Sequence, residues 1–368
     1  MVGPALGRKP VLGLLMRLLW PAVLALPAFG SQAGAVFTSL HSFQGYSNGL
    51  NPYAGLVQGS DGNFYGTTES GGTYVVGTVF KISTNGALTS LYSFTGDSDG
   101  ANPDAALVQG SDGNFYGTTY SGGTNGGYGT VFKISTNGAL TSLYSFTGGS
   151  DGANPWAGLV QGSDGNFYGT TLSDGANGSP GNGYGTVFKI STNGLLTSLY
   201  GFTGGNDGAF PQAGLVQGSD GNLYGTTSRS GTYSSCGTVF QITINGALTT
   251  LHVFGGGSDG ANPLAGLVHG SDGKFYGTTY GGGVGGAGTV FRLTIVPAFR
   301  AVTLTNSTLS LTWSTEAGGG YQLQYNSDLS SGNWTNLGSP FTATGATLNA
   351  TNSVTTSPQR FYRLVLLP

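Results

Sequence analysis

The chain has 368 residues, of which only 7% are charged, and a net charge of −3. Such a balance offers no basic patch to neutralise a phosphate backbone, so nucleic acid is not an expected partner. Glycine reaches 70 residues without a Gly-X-Y period while aromatics reach 12%, which sets aside collagen and disorder and leaves a turn-rich all-β protein.

Residues 1–35 read as a secretory signal peptide. Arg8 and Lys9 give the positive end, Val11 to Ala28 the apolar stretch, and Ala33-Gly34-Ala35 the small-residue cleavage pattern before Val36. The competing reading is a membrane anchor. Arg17 and Pro21 interrupt the stretch, leaving no clean run of about 20 apolar residues. The expectation is a mature chain with no membrane span, secreted or held at the cell surface.

The middle of the chain repeats itself. GSDGNFYGTT begins at Gly59, recurs at Gly110 and Gly162, and returns as variants at Gly218 and Gly270. Each copy leads into a variable loop, then GTVFKIS or a close relative, an NG turn in most copies, and ALTSLYSF or a relative. The first repeat reads as four short strands, 54–57, 63–68, 77–83 and 87–94, rich in β-branched and aromatic residues. Asp61-Gly62 and Asn85-Gly86 tolerate the positive φ that tight hairpins need. A four-stranded meander of this kind is a propeller blade.

The ends of the repeat region complement each other. Residues 36–43, VFTSLHSF, match a fourth strand and precede any first strand, while the last repeat lacks a fourth. The expected fold over 36–295 is a five-bladed β-propeller closed by that N-terminal strand, which also removes exposed edges. An open β-solenoid is the competing architecture, but it needs dissimilar caps rather than two halves of one repeat.

The pattern LVQGSDGNFYGTT, a Gly-rich loop and GTVFKI resembles the GloVer tandem repeat, over residues 36 to about 294. That family comprises exported bacterial proteins with varied C-terminal anchoring or sorting modules. The resemblance implies export and surface association and carries over no catalytic residue.

After Pro297 the repeat stops. Residues 309–314, 321–325, 333–337 and 360–367 alternate like half-buried strands. Residues 296–368 are expected to form a small β-sandwich that resembles fibronectin type III, with Trp313, Tyr321 and Tyr362 as core aromatics.

Strand order places the first-to-second and third-to-fourth turns on one face of the ring and the variable loops on the other. Those loops are 69–76, 120–128, 172–184, 228–236 and 280–287, and loops on a rigid scaffold carry function. Most aspartates recur in every repeat; Glu69, Asp97, Asp104 and Asp174 do not, and all four fall on the variable face. Asp104 follows Asn-Pro at the mouth of the first strand, where the other repeats place Tyr53, Trp156, Gln212 and Leu264. Tyr53, Asp104, Trp156, Gln212 and Glu69 are therefore the candidate ligand site. Aromatic platforms beside a carboxylate and an amide suit a sugar, from extracellular polysaccharide or a cell-surface glycan; the competing reading is that they plug a channel.

A glycosidase would need two carboxylates about 5–9.5 Å apart, for which Glu69 and Asp104 are the candidates. With no Arg or His near them in sequence to tune a pKa, the expected function is non-catalytic adhesion or glycan binding. A purely structural surface role and a polysaccharide-acting glycosidase stand as alternatives. No cofactor and no metal site is expected. Asp97-Ser98-Asp99-Gly100 opens like a calcium loop but has no acid at the twelfth position. His41, His252 and His269 are scattered, with His41 and His252 in the place of a repeat tyrosine. Cys236 is the single cysteine, which excludes an intramolecular disulfide.

Overall fold

A computed structural model describes residues 36–177, 183–229, 236–296, 299–315, 319–345, 347–354 and 359–367. The expected signal peptide, 1–35, lies outside them, as do 178–182 and 230–235 of two variable loops. The chain divides into two compact units, Met1–Ser39 and Leu40–Pro368. In the first, residues 36–39 are exposed and hold no strand. No described helix is long and apolar enough to cross a membrane.

Among the described residues the second unit is all-β apart from one short 3-10 turn, Leu329–Ser331. Its first sheet contains β1 (Val57–Gln58), β2 (Phe64–Thr68), β3 (Thr78–Ile82) and β4 (Leu88–Ser93) in sequential antiparallel order. The second sheet repeats the pattern with β5 (Val108–Gln109), β6 (Phe115–Thr119), β7 (Thr130–Ile134) and β8 (Leu140–Ser145). The third has β9 (Val160–Gln161), β10 (Phe167–Thr171), β11 (Thr186–Ile190) and β12 (Leu196–Gly201). The fourth has β13 (Val216–Gln217), β14 (Leu223–Thr227), β15 (Thr238–Ile242) and β16 (Leu248–Val253). The fifth stops at three strands, β17 (Val268–His269), β18 (Phe275–Thr279) and β19 (Thr289–Leu293).

Sheets form because Phe, Tyr, Thr and Val fill the strands and Gly62 and Gly86, at φ 81 and 89, close the hairpins. In the inner sheets the second strand is buried along its whole length, for example β6 and β10, because a neighbouring sheet covers each face. The joints between sheets recur. Tyr65 stacks on Phe115 at 4.0 Å, Tyr116 on Phe167 at 4.0 Å and Tyr224 on Phe275 at 4.1 Å. Phe94, Phe146, Phe202 and Phe254 each meet the next sheet's third-strand phenylalanine edge-on at 5.2–5.3 Å. Each such ring pair contributes about 0.5–1.5 kcal/mol beyond its buried area.

Two expectations differ from what is observed. The first strand is only Val57–Gln58, not 54–57, and it is as short in the later repeats, where the alanine before it gives its carbonyl to the preceding sheet: Thr67 Oγ1 donates to Ala105 O at 3.0 Å and Thr118 Oγ1 to Ala157 O at 3.1 Å. Residues 36–43 hold no strand, and among the described residues β19 pairs only with β18. A strand without a hydrogen-bonded partner is not stable by itself in water.

Beyond the fifth sheet, β20 (Phe299–Thr305), β21 (Thr308–Ser314) and β25 (Thr347–Ser353) form one sheet. A second joins β22 (Gly320–Asn326), β23 (Thr335–Asn336), β24 (Phe341–Thr342) and β26 (Phe361–Leu366). The two share a core of Leu311, Trp313 and Leu323, with Tyr362 packed partly buried against it. Trp313 and Tyr321 are buried as the alternation predicts. Arg300 reaches Asp220 of a repeat turn at 4.0 Å.

Candidate functional site

Both faces of the repeat region can now be built from their side chains. On the turn face, each Ser-Asp-Gly turn aspartate is held by its own sheet. Asp61 accepts from Asn63 N, Asn63 Nδ2 and Tyr65 Oη at 3.1, 2.8 and 2.8 Å. The same three bonds recur at Asp112 and Asp164. The hydrogen bond from the Asn63 side chain, with that from Tyr65, holds the Asp61 carboxyl below its ordinary range. At Asp272 the bond from Tyr276 leads and the carboxyl is pushed down to about 2. Gln109 adds a tie between sheets by accepting from Ser60 N at 2.9 Å, as Gln161 does from Ser111 N.

On the opposite face, each fourth strand ends in a turn locked from seven residues back. Tyr92 Oη donates to Asp99 Oδ2 at 2.9 Å, and burial, then that bond, pushes the phenol up to about 12. His252 and His41 take the tyrosine's place, meeting Asp259 at 3.1 Å and Asn48 at 2.9 Å. Asp99, in the segment that opens like a calcium loop, accepts instead from Thr95 N at 2.8 Å and from the Thr95 hydroxyl. Among the described residues no group of three His, Cys, Asp or Glu side chains is placed to hold a metal.

The Asn-Pro segments that follow bring adjacent repeats together. Asn102, Asn154 and Asn262 sit at φ 55–58, a left-handed conformation that asparagine tolerates better than most residues. Their side chains donate to Glu69 O, Tyr120 O and Ser228 O at 3.0–3.2 Å. The residue two positions on is thereby set beside the end of the preceding repeat's second strand. Asp104 is placed near Glu69, and Trp156 meets Tyr120 edge-on at 5.2 Å.

The candidate residues therefore gather in pairs. Burial, with the Glu69 charge second, pushes the Asp104 carboxyl up to about 6, and its Oδ1 is buried without a hydrogen-bond partner among the described residues. Glu69 Oε2 accepts from Asn51 Nδ2 at 3.3 Å. Trp156 is 46% exposed and Tyr53 73% exposed. The described contacts join neither Tyr53 nor Gln212 to Asp104 or Trp156, so the five residues line one face without forming a single pocket. Asp174 is buried at φ 59 in the third variable loop.

Sequence reasoning missed Tyr120, the partner of Trp156, and an arginine on this face. Arg229 lies 5.8 Å over the Phe210 ring, two residues before Gln212. The signal was readable: the third repeat's Asn-Pro becomes Phe210-Pro211 in the fourth. Cys236, expected in a loop, is buried in the fourth sheet's core cluster as a small apolar side chain.

Comparisons with known proteins add the following. The Gloeobacter/Verrucomicrobia repeat matches residues 29–181 and again 149–307, together more than half of the chain. No curated protein matches the sequence. Among solved structures, one carrying the name gluconolactonase is similar at 15% identity and TM-score 0.41, over 74% of this chain and 89% of that one. A luciferin-regenerating enzyme is similar at 14% identity and TM-score 0.39, over 65% and 75%. An endo-1,4-beta-xylanase of Bacteroides thetaiotaomicron is similar at 12% identity and TM-score 0.33, over 79% and 96%. With two overlapping matches spanning its tandem sheets, the chain belongs to the Gloeobacter/Verrucomicrobia repeat family.

Proposed function

We propose that the chain is an exported, non-catalytic repeat protein of the cell surface or extracellular space that binds glycan through its variable-loop face. In this reading the five sheets are the blades of a five-bladed propeller, and residues 296–368 are a sandwich module carried beside it. The observation that carries it is the exposed Trp156, edge-on to half-buried Tyr120, on the same face as Asp104, whose buried Oδ1 has no hydrogen-bond partner among the described residues. An aromatic face stacks on the apolar side of a sugar ring, and a neighbouring carboxylate accepts from its hydroxyls.

The test is a glycan array on the full chain, repeated with Trp156→Ala and Asp104→Ala and with folding checked by circular dichroism. Each substitution is expected to weaken binding at least about tenfold, the loss of one good contact. No binding by folded protein sinks the adhesive reading and leaves the purely structural surface role. Export is checked separately: N-terminal sequencing of protein from the culture medium is expected to begin at Val36.

The raised Asp104 carboxyl beside Glu69 favours one second reading, a polysaccharide-acting glycosidase. Release of reducing sugar from a bound glycan, abolished by Asp104→Asn, would establish it over simple binding.

A further inference from the structure

The four joints between consecutive sheets define what the fifth sheet lacks on one side and the first on the other. At each joint the leaving sheet gives a second-strand tyrosine to the next core and a threonine hydroxyl to the next sheet's alanine carbonyl, as Thr67 does to Ala105 and Thr226 to Ala265. The next repeat's Asn-Pro segment returns a backbone N–H: Asn102 N to Val76 O, Asn154 N to Tyr128 O, Phe210 N to Tyr184 O and Asn262 N to Cys236 O, at 2.6–2.8 Å.

On the fifth sheet the giving positions stand open. Thr278 is exposed where Thr67, Thr118, Thr170 and Thr226 are buried, and Tyr276 is only half-buried. Val290 is 80% exposed where Val79, Val131, Val187 and Val239 are at most 1%. A groove of about 280 Å³ runs along β19 past Val290 and Phe291. The first repeat shows the matching deficit: Leu56 is 55% exposed where Leu107, Leu159, Leu215 and Leu267 are 5–8%. A groove of about 490 Å³ there is lined by Leu56, Phe64 and Phe80 together with Leu40, His41 and Phe43.

The segment before the first sheet is already shaped as the missing piece. Phe43 meets Phe80 edge-on at 5.2 Å, the contact that Phe94 makes with Phe132. His41 bonds Asn48, and Gln44 N donates to Asn48 Oδ1 at 2.8 Å, as Thr95 N does to Asp99. Residues 41–48 thus reproduce the turn that follows every other fourth strand.

We infer that the fifth sheet docks on the first repeat of the same chain, with residues 40–43 as the end of its fourth strand. The register copies Thr78↔Ser93 and Val79↔Tyr92, pairing Thr289 with Ser42 and Val290 with His41. The joint brings Tyr276 onto Phe64 and Thr278 Oγ1 to Ala54 O, and turns Asn51 Nδ2 from Glu69 to Tyr280 O. It sets Tyr53 beside Tyr280, the fifth of the pairs that include Glu69–Asp104 and Tyr120–Trp156. The same chain is the occupant because one orphan strand end and one vacancy are each supplied once per chain, and tethering raises their effective concentration. This rests on the five-bladed reading and is independent of the ligand.

The test is disulfide trapping in the full chain carrying Cys236→Ala, with Ser42→Cys and Thr289→Cys. Directly opposed antiparallel positions lie within disulfide reach. The control is Ser93→Cys with Thr78→Cys, a pair already in register. Under mild oxidation at low micromolar protein, both are expected to lose nearly all free thiol while remaining monomeric. Covalent dimers or longer species from the 42/289 variant would make a second copy the occupant and overturn the inference. Retained thiols at 42 and 289, with the control fully oxidised, would overturn it as well. A trapped monomer that binds no glycan leaves the joint standing and removes only the proposed ligand.

Discussion

The two faces of the repeat region are built by opposite rules. On the turn face the same aspartate is held by the same asparagine and tyrosine in the first three sheets, through bonds closed inside its own hairpin. On the loop face the backbone scaffold is equally regular, but the side chains it presents differ at each joint: a carboxylate pair, an aromatic pair, then an amide beside an arginine-capped ring. Repetition of a bonded cluster marks what the sheet needs to form. Variation at a fixed backbone position marks where the sheet is indifferent, and there a ligand can be selected for.

That contrast can be broken most severely on the turn face. Asp164→Ala removes the acceptor for Asn166 N, Asn166 Nδ2 and Tyr168 Oη and is expected to cost about 2–3 kcal/mol in urea unfolding, since bonds to a charged acceptor are the strong ones. A change within about 0.5 kcal/mol would mean the turn is not held by these bonds.

The second prediction has the opposite sign. Asp104 has its carboxyl raised from 3.8 to about 6 in the folded chain, so the stability it permits is full below about pH 3.8 and is lost as pH rises through about 6. Asp104→Asn should stabilise by roughly 1–2 kcal/mol at pH 8, discounted for partial exposure, and by nothing at pH 3.5. The depressed turn aspartates titrate the other way: their stabilisation is present above the ordinary range and is lost as acid carries the pH below it. Melting temperatures across pH 2.5–8 separate the two faces.

Smaller effects sharpen the comparison. Trp156→Ala loses the edge-on contact with Tyr120 and is expected to lower stability by about 0.5–1.5 kcal/mol. Gln212→Ala, half-buried on the same face, should stay within about 0.5 kcal/mol. A larger loss at Gln212 would make that position part of the scaffold.

Much of the sheet structure was legible in the sequence because it rests on local signals. The second, third and fourth strands fall where β-branched and aromatic runs meet Asp-Gly and Asn-Gly turns. The first strand was overextended, since in the later repeats the alanine before it satisfies the neighbouring sheet rather than its own, and nothing local reports a bond spanning 38 residues. The site followed the same division. Asp104 and Trp156 stood out as departures from the repeat, but their partners Glu69 and Tyr120 sit in the preceding repeat. Only folding brings them together, and Tyr120 was overlooked for that reason.

Because consecutive sheets dock through the same edge-on phenylalanine contact, joined at three of the four joints by a Tyr–Phe stack, the chain carries several copies of one adhesive surface. While it folds, a newly formed sheet meets more than one acceptable neighbour, and docking out of order buries nearly as much apolar area as docking in order. What discriminates is tether length. The turn locked by Tyr144 and Asp151 delivers the next sheet to its place before a more distant one can diffuse there, since short loops close fastest. Order of assembly in this chain is therefore kept by the connections and not by the joints, so lengthening that turn should slow productive folding more than it lowers final stability.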